Sequence, residues 1–241
     1  MKTKNPKPLG RKAYGSIPHL LSSRIGPGDH HCHSGQEQIC LVRTRDKGDR
    51  VIVTEKLDGS NVAIANIDGN ILALTRAGYE AVTSPYEQHH IFAGWVDERR
   101  ADFLRMLVNG EVLHGEWLAQ AHGTIYDLPH EPFVAFDLTR DGKRIPWSEF
   151  VKRCFVSGFV RPRIIHDGPA VALATVIDAI AESGHGVRTG ELVEGAVWRV
   201  ERHEEFDFMA KWVRPSKVDG RYLPEISGGA AIWNWRPKGM G

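Results

Sequence analysis

The heptapeptide Glu55-Lys56-Leu57-Asp58-Gly59-Ser60-Asn61 holds the groups best suited to chemistry in this chain of 241 residues. A lysine amine is a nucleophile only when neutral. The apolar run Val51-Ile52-Val53 just before it predicts a buried strand that would leave the ammonium partly desolvated, and desolvation lowers a lysine's pKa. Gly59 would let the backbone turn tightly beside a bound ligand. A surface Lys-Asp pair next to a turn explains the same residues as well, so the assignment depends on what else the chain places in order behind them.

Five later stretches supply that order: Thr75-Arg76-Ala77-Gly78, His114-Gly115-Glu116-Trp117, Phe133-Val134-Ala135-Phe136-Asp137-Leu138, Glu194-Gly195-Ala196-Val197 and Ala210-Lys211-Trp212-Val213-Arg214. With Lys56 at their head they resemble the motif series of the covalent nucleotidyltransferases, the polynucleotide ligases and mRNA capping enzymes. Within that superfamily the chain is most similar to ATP-dependent RNA ligases, over about residues 51–214. The resemblance implies that Lys56 attacks the α-phosphate of ATP and carries AMP. It implies that Glu116 contacts the ribose, Phe136 stacks on the purine and Lys211 contacts the α-phosphate. It gives Glu194 a divalent metal, Mg²⁺ or Mn²⁺, and it adds Glu55, Asn61 and Arg76 to the nucleotide-binding set, the last two for the later steps on nucleic acid. The segments Ile17-Pro18-His19-Leu20, Gly26-Pro27-Gly28-Asp29-His30-His31 and Lys217-Val218-Asp219-Gly220-Arg221-Tyr222 also look like bacterial members of that family. One departure stands out. Such ligases place two lysines one residue apart in the last motif, and here the second position is Val213; Arg214 or Lys217 would have to supply the charge.

Each assignment has a plainer alternative. Strand residues alternate faces, so Phe136 shares a face with Val134, and Phe133 with Ala135; either phenylalanine could be core. Phe136 adjoins Asp137, as in the family pattern, and is the expected stacking residue. Glu116 and Glu194 could be strand-end surface carboxylates, but the neighbouring Gly115 and Gly195 make close approach to a ligand more plausible. Arg76 could be a solvated strand-end charge.

The elements that must position these groups are read from periodicity. Strands are expected at Ile39 to Arg43, Val51 to Glu55, Val62 to Ile67, Ile71 to Thr75, Val112 to Trp117, Phe133 to Leu138, Val193 to Glu201 and Phe206 to Val213; Asp68-Gly69-Asn70 marks a hairpin turn. Helices are expected at Tyr86 to Val108, Ser148 to Phe155 and Val171 to Ser183. Interleaved helices and strands without a repeat predict an α+β nucleotidyltransferase domain of antiparallel sheets flanked by helices. The expected organisation is an irregular N-terminal segment, 1–38, packed on a main domain, 39–214, followed by a tail, 215–241, pinned by Trp233 and Trp235.

Composition narrows the function classes. A net charge of +1 argues against a protein whose whole business is clinging to nucleic acid, though it leaves room for a local basic patch. No run of eighteen apolar residues suggests a transmembrane helix, and the basic Met1 to Pro8 is followed by no apolar stretch of a secretory signal. Cys32, Cys40 and Cys154 are read as free thiols in a reducing cytoplasm. His30-His31-Cys32-His33 invites a zinc reading, but consecutive ligands cannot converge on one ion; a polar loop flanking the nucleotide site is the preferred account. Gly184 to Gly190 is expected to be a mobile loop, not a P-loop. Only 27 residues follow Arg214, too few for the OB-fold of DNA ligases. That favours RNA as the acceptor, with a partner protein or the substrate's own shape compensating for a missing C-terminal domain. A DNA ligase-like enzyme, transfer to another acceptor, and an inactive nucleotide- or nucleic-acid-binding module are the competing readings.

Overall fold

Among residues 6–182 and 185–237, which the computed structural model describes, nine strands build two antiparallel sheets. In chain order they are β1 (Asp49–Lys56), β2 (Ser60–Ile67), β3 (Asn70–Thr75), β4 (Glu111–Trp117), β5 (Phe133–Arg140), β6 (Lys143–Arg144), β7 (Ile164–Gly168), β8 (Gly195–Arg202) and β9 (Glu205–Val213). One sheet has the order β7-β1-β8-β9 and the other β3-β2-β4-β5-β6. Consecutive strands β1 and β2 therefore lie in different sheets, and Leu57-Asp58-Gly59 is the link between them.

The apolar run in β1 exists because the strand is buried on both faces. Val51 and Val53 join a cluster with Trp198, Val200, Phe208, Ala210 and Trp212, while Ile52 belongs to the other main cluster. A strand covered on both sides reads as continuous hydrophobe and not as alternation. Helix α5 (Leu173–Glu182) places Val176 and Ile180 in the first cluster. Helices α2 (Glu87–Glu98), α3 (Arg100–Met106) and α4 (Trp147–Ser157) bring Phe92, Trp95, Phe103 and Phe150 onto Val62, Ile64, Leu113 and Phe133. Each such side chain stabilises by roughly 1.5–3 kcal/mol when fully buried.

The α+β class and the antiparallel sheets agree with the expectation, and three local differences have physical causes. The expected strand at Ile39 to Arg43 is the end of helix α1 (Ser34–Leu41). The Gln36 side chain accepts a hydrogen bond from the His33 N–H at 3.2 Å, half of a capping box, and Cys40 is buried on one face. The single helix expected over Tyr86 to Val108 breaks at Arg99, whose φ and ψ of −109° and 16° are not helical. Its guanidinium lies 4.7 Å from the Trp95 ring and donates to Glu131, and the break lets Phe103 meet both Trp95 and Phe159. Strand β7 was not expected; it is a short edge strand, half-exposed along most of its length. Ser183 and Gly184, the expected helix end and loop start, lie outside the described residues.

The two ends of the chain cross the sheets. Leu20 N–H donates to Lys211 O and Lys211 N–H to Pro18 O, both at 2.9 Å, so residues 18–20 run alongside β9. Further upstream, Ala13 N–H donates to Arg76 O at the end of β3. At the other terminus the Trp235 ring meets Trp117 edge-on at 5.9 Å, and Asn234 Nδ2 donates to Leu118 O.

Candidate active site

The facing surfaces of the two sheets enclose a cavity of about 560 Å³ lined by Lys56, Asn61, Arg76, Glu116, Phe136, Glu194 and Lys211, with Glu55 on its border. Alternation along β1 explains the first of these. Ile52, Thr54 and Lys56 share the cavity face, and Val51, Val53 and Glu55 take the other. Register supplies the rest. Lys56 is opposite Gly195 on β8, so the preceding residue, Glu194, reaches the lysine: Glu194 Oε2 lies 2.7 Å from Lys56 Nζ. Asn61 is opposite Glu116 on β4, and Glu116 accepts the Gly59 N–H at 3.1 Å. Lys211, on β9, is opposite Val197 on β8.

Phe136 reaches the cavity through a β-bulge. The β4–β5 register passes from His114↔Asp137 to Gly115↔Ala135, leaving Phe136 as the extra residue that such a bulge re-aims. Phe133 and Ala135 are core, whereas Phe136 is half-buried, with the Tyr14 ring edge-on to it at 5.2 Å. Simple alternation could not decide between the phenylalanines; the bulge does.

The glycines also serve the packing of the strands themselves. A Cβ on Gly195 would fall 1.9 Å from Trp212 O, on Gly59 2.6 Å from Trp117 O, and on Gly115 2.3 Å from the Phe133 ring. They permit protein to approach protein, which holds the reactive residues in register.

The state of Lys56 also departs from expectation. Burial works to lower its pKa, but Glu194, Glu116 and Asp58 together outweigh burial and raise it above the ordinary lysine range. Without nucleotide the group is an ammonium held in an ion pair, its side chain 23% exposed. Glu116 moves the other way from a normal carboxylate: burial, only partly offset by Lys56, pushes it up to about 7. Lys211 is lowered, by burial first and by the Lys56 charge second. Desolvation thus sets the net direction at Lys211 but is outweighed at Lys56, which has a carboxylate at contact distance, whereas Asp29 Oδ1 stands 3.7 Å from Lys211 Nζ.

Of the two replacements for the missing second lysine, Lys217 is in the site and Arg214 is not. Lys217 is almost fully buried, its ammonium in contact with the Asp58 carboxylate and 3.7 Å from Glu194 Oε1. Arg214 instead donates to Val193 O and Ser216. Glu55 does not offer its carboxylate to the cavity: its oxygens accept the N–H groups of Arg163 and His185 at 2.9 and 2.7 Å. The strand alternation that aims Lys56 inward sends Glu55 outward.

Several cavity residues escaped the sequence reading. Tyr14 lines the aromatic end beside Phe136 and Trp147, and its hydroxyl donates to Asp137 at 2.9 Å. Asp137 also receives Arg144 and Arg199, a buried network under that end. His19 and Asp29 approach Lys211 from the upstream segment, with His19 Nε2 3.2 Å from Asp29. Ser60, Ser84 and His89 line the cavity as well. Tyr14, Ser84 and His89 sit in no spacing that announces chemistry, and Ser60, His19, Asp29 and Asp137, though within segments singled out above, carried no assigned role; tertiary contact assembles the set. The His30–His33 stretch runs beside His19, whose N–H donates to His30 O. Among the described residues no three His, Cys, Asp or Glu groups are arranged to hold a metal ion by themselves.

Comparison with solved structures identifies the architecture as that of a ligase nucleotidyltransferase domain. An archaeal ATP-dependent RNA ligase superposes with a TM-score of 0.54 at 22% identity, over 83% of this chain and 48% of that one. A Naegleria gruberi RNA ligase with PPi gives 0.54 at 18% identity, over 76% and 53%, and a variant of it with ATP and Mn gives 0.53 at 18%, over 69% and 50%. The chain thus spans about half the length of these solved ligases. No curated protein matches it. The family model described as RNA ligase matches residues 49–213, and the chain belongs to the RNA ligase family.

Proposed function

We propose that the protein is an ATP-dependent RNA ligase that joins 3′-hydroxyl and 5′-phosphate RNA ends through AMP carried on Lys56. One observation supports this above the others: Lys56, Glu116, Glu194, Lys211 and Phe136 open into one cavity, with a single strand pair holding Lys56 against Glu194. In the first step the Lys56 nitrogen bonds to the α-phosphorus of ATP, the bond to pyrophosphate breaks, and the amine gives up a proton. Phe136 would stack on the base and Glu116 contact the ribose. Lys211, close to Lys56, faces the negative charge that builds on the phosphate. The AMP then passes to a 5′-phosphate, and a 3′-hydroxyl displaces it.

The donor set fits a hard divalent cation. Magnesium is commonly held by one or two carboxylates together with substrate phosphates, and Glu194 offers such a carboxylate on the cavity wall while Lys217 occupies Asp58. Mg²⁺ or Mn²⁺ bound there would neutralise polyphosphate charge. It would also draw on the Glu194 carboxylate that otherwise keeps Lys56 protonated. A partner protein that strengthens the grip on the acceptor is part of the same proposal. Three buried free cysteines suit a reducing cytoplasm, and no helix among the described residues is long and apolar enough to cross a membrane.

The test is incubation with α-labelled ATP or GTP and Mg²⁺, followed by denaturation. Label from ATP that is absent in Lys56→Ala supports the proposal. Preference for GTP points to capping-type chemistry, and no label to a binding module. Nicked RNA, nicked DNA and single-stranded RNA offered to the labelled protein then identify the acceptor.

A further inference from the structure

We infer that Asp29, held by His19 on the upstream segment, positions the Lys211 ammonium at the cavity wall, an inference that rests on the ligase reading above. The site's three lysines are held in different ways. Lys56 and Lys217 touch carboxylates. Lys211 does not: the one carboxylate oxygen within 4 Å of it among the described residues is Asp29 Oδ1, at 3.7 Å, and its Nζ makes no hydrogen bond among them. A charge at that distance attracts the ammonium without occupying its N–H groups, which are left to donate to a phosphate.

Local sequence builds Asp29 for this place. Gly26-Pro27-Gly28-Asp29 folds as a tight turn: the Asp29 N–H donates to Gly26 O at 3.1 Å, and Gly28 has a φ of +83°. Proline at the second position and a left-handed glycine at the third are what a type II turn requires. The Gly26 N–H donates back to Asp29 Oδ2 at 3.0 Å, which leaves Oδ1 toward Lys211. Buried His19 stands on the same oxygen, its Nε2 3.2 Å from Oδ2 and with no other partner among the described residues. Burial first and the Lys211 charge second lower the His19 pKa, so the ring is neutral at neutral pH. A carboxylate only accepts, so the one ring proton belongs on Nε2, and Nδ1 accepts the Ser23 hydroxyl at 2.7 Å. Ser23 Oγ in turn accepts the Val213 N–H at 2.9 Å, and the Arg24 N–H donates to Val213 O at 3.0 Å. With Pro18 and Leu20 bonded to Lys211 itself, the segment carrying His19 and Asp29 is fixed to the strand carrying the lysine.

The charges around Lys211 give this placement its purpose. Burial works against the ammonium, and Lys56 and Arg76 face it with like charge; Asp29 and then Glu194 oppose them. Lys56 and Glu194 belong to the reaction itself, so the upstream segment supplies the carboxylate that stays with Lys211 while they turn to the nucleotide. Asp29 acts through Lys211 and is a positioning residue.

The experiment uses the full chain without nucleotide or metal. An amine-selective reagent is applied across a range of pH, and modification of Lys211 and of Lys56 is read separately by peptide mass spectrometry. An opposite charge nearby moves a pKa by roughly 1–3 units; Asp29 is 31% exposed, so the lower end applies. The Lys211 midpoint should fall by about one unit in Asp29→Asn and in Asp29→Ala, with Lys56 unmoved. Asp29→Glu should restore most of the shift, and His19→Phe should lie between. Loss of structure would move Lys211 the other way, up to the ordinary lysine range, because it removes the burial. In single-turnover labelling with ATP and Mg²⁺ the alkaline limb of the rate should move with the Lys211 midpoint. In Lys211→Arg, whose charge does not titrate in this range, Asp29→Asn should leave the limb in place. An unmoved Lys211 midpoint in both Asp29→Asn and Asp29→Ala, or an equal shift of the rate profile in Lys211→Arg, would overturn the inference. The two levels separate cleanly. Absence of label on Lys56 defeats the ligase reading, and a labelled protein with an unmoved Lys211 midpoint defeats this inference alone.

Discussion

Replacing Glu194 with glutamine should make Lys56 easier to deprotonate and yet slow its adenylylation. The carboxylate lies 2.7 Å from the ammonium, and an opposite charge at such range shifts a pKa by roughly 1–3 units, or about 1.4–4 kcal/mol. Coulomb's law with an effective dielectric of about 20 gives the same order, ~4 kcal/mol at about 4 Å. Glu116 and Asp58 remain to hold the charge, and the side chain is 23% exposed to screening solvent, so a fall of about 1–2 units is expected. The assay is the pH dependence of Lys56 modification by an amine-selective reagent without nucleotide, read by peptide mass spectrometry. In parallel, adenylylation by ATP should drop by about 100-fold or more as the carboxylate proposed to hold the metal is lost. The two readouts move in opposite directions, which a general loss of structure would not produce. An unchanged Lys56 profile, or normal adenylylation, would refute the account of the ion pair. The sign for stability follows from the raised lysine: the pair's contribution is full below the ordinary lysine range near 10.4 and is lost as pH climbs through the higher folded value.

Further outcomes test the rest of the site. Phe136→Ala should raise the KM for ATP by a factor corresponding to about 1–3 kcal/mol of stacking with little change in melting temperature, whereas Phe133→Ala, in the core, should cost about 3–5 kcal/mol in denaturant titrations. Asp137→Ala strands Arg199 and Arg144 without their shared carboxylate and should cost about 3–5 kcal/mol of stability by the same measurement. Glu116 is raised to about 7, so the fold disfavours its charged form; the penalty is absent below about pH 4, grows as the unfolded carboxyl ionises, and is full above pH 7. Glu116→Gln should therefore stabilise the nucleotide-free protein by up to about 3 kcal/mol at pH 8 and by almost nothing at pH 4, while weakening ATP binding in calorimetry.

The strands that carry Lys56, Glu116 and Lys211, and the strand that Glu194 immediately precedes, were legible because each contains a short apolar run, and local burial follows directly from such patterns. The α+β class followed from the same runs. Less legible were features that depend on competition between local preferences, such as Ile39 in a helix and the break at Arg99, where a cap or a tertiary cation–aromatic contact outweighs propensity.

The sequence by itself determined which residue types were available and that β1 is buried on both faces, since Val51-Ile52-Val53 has no polar side to show. Only the tertiary structure decided how they act. Register across separate strands set Glu194 on Lys56 and reversed the expected fall in its pKa. A bulge chose Phe136 over Phe133, and a buried contact chose Lys217 over Arg214. Charge effects fall off over a few ångströms, and chain separation says nothing about which carboxylate, more than a hundred positions away, ends at that distance.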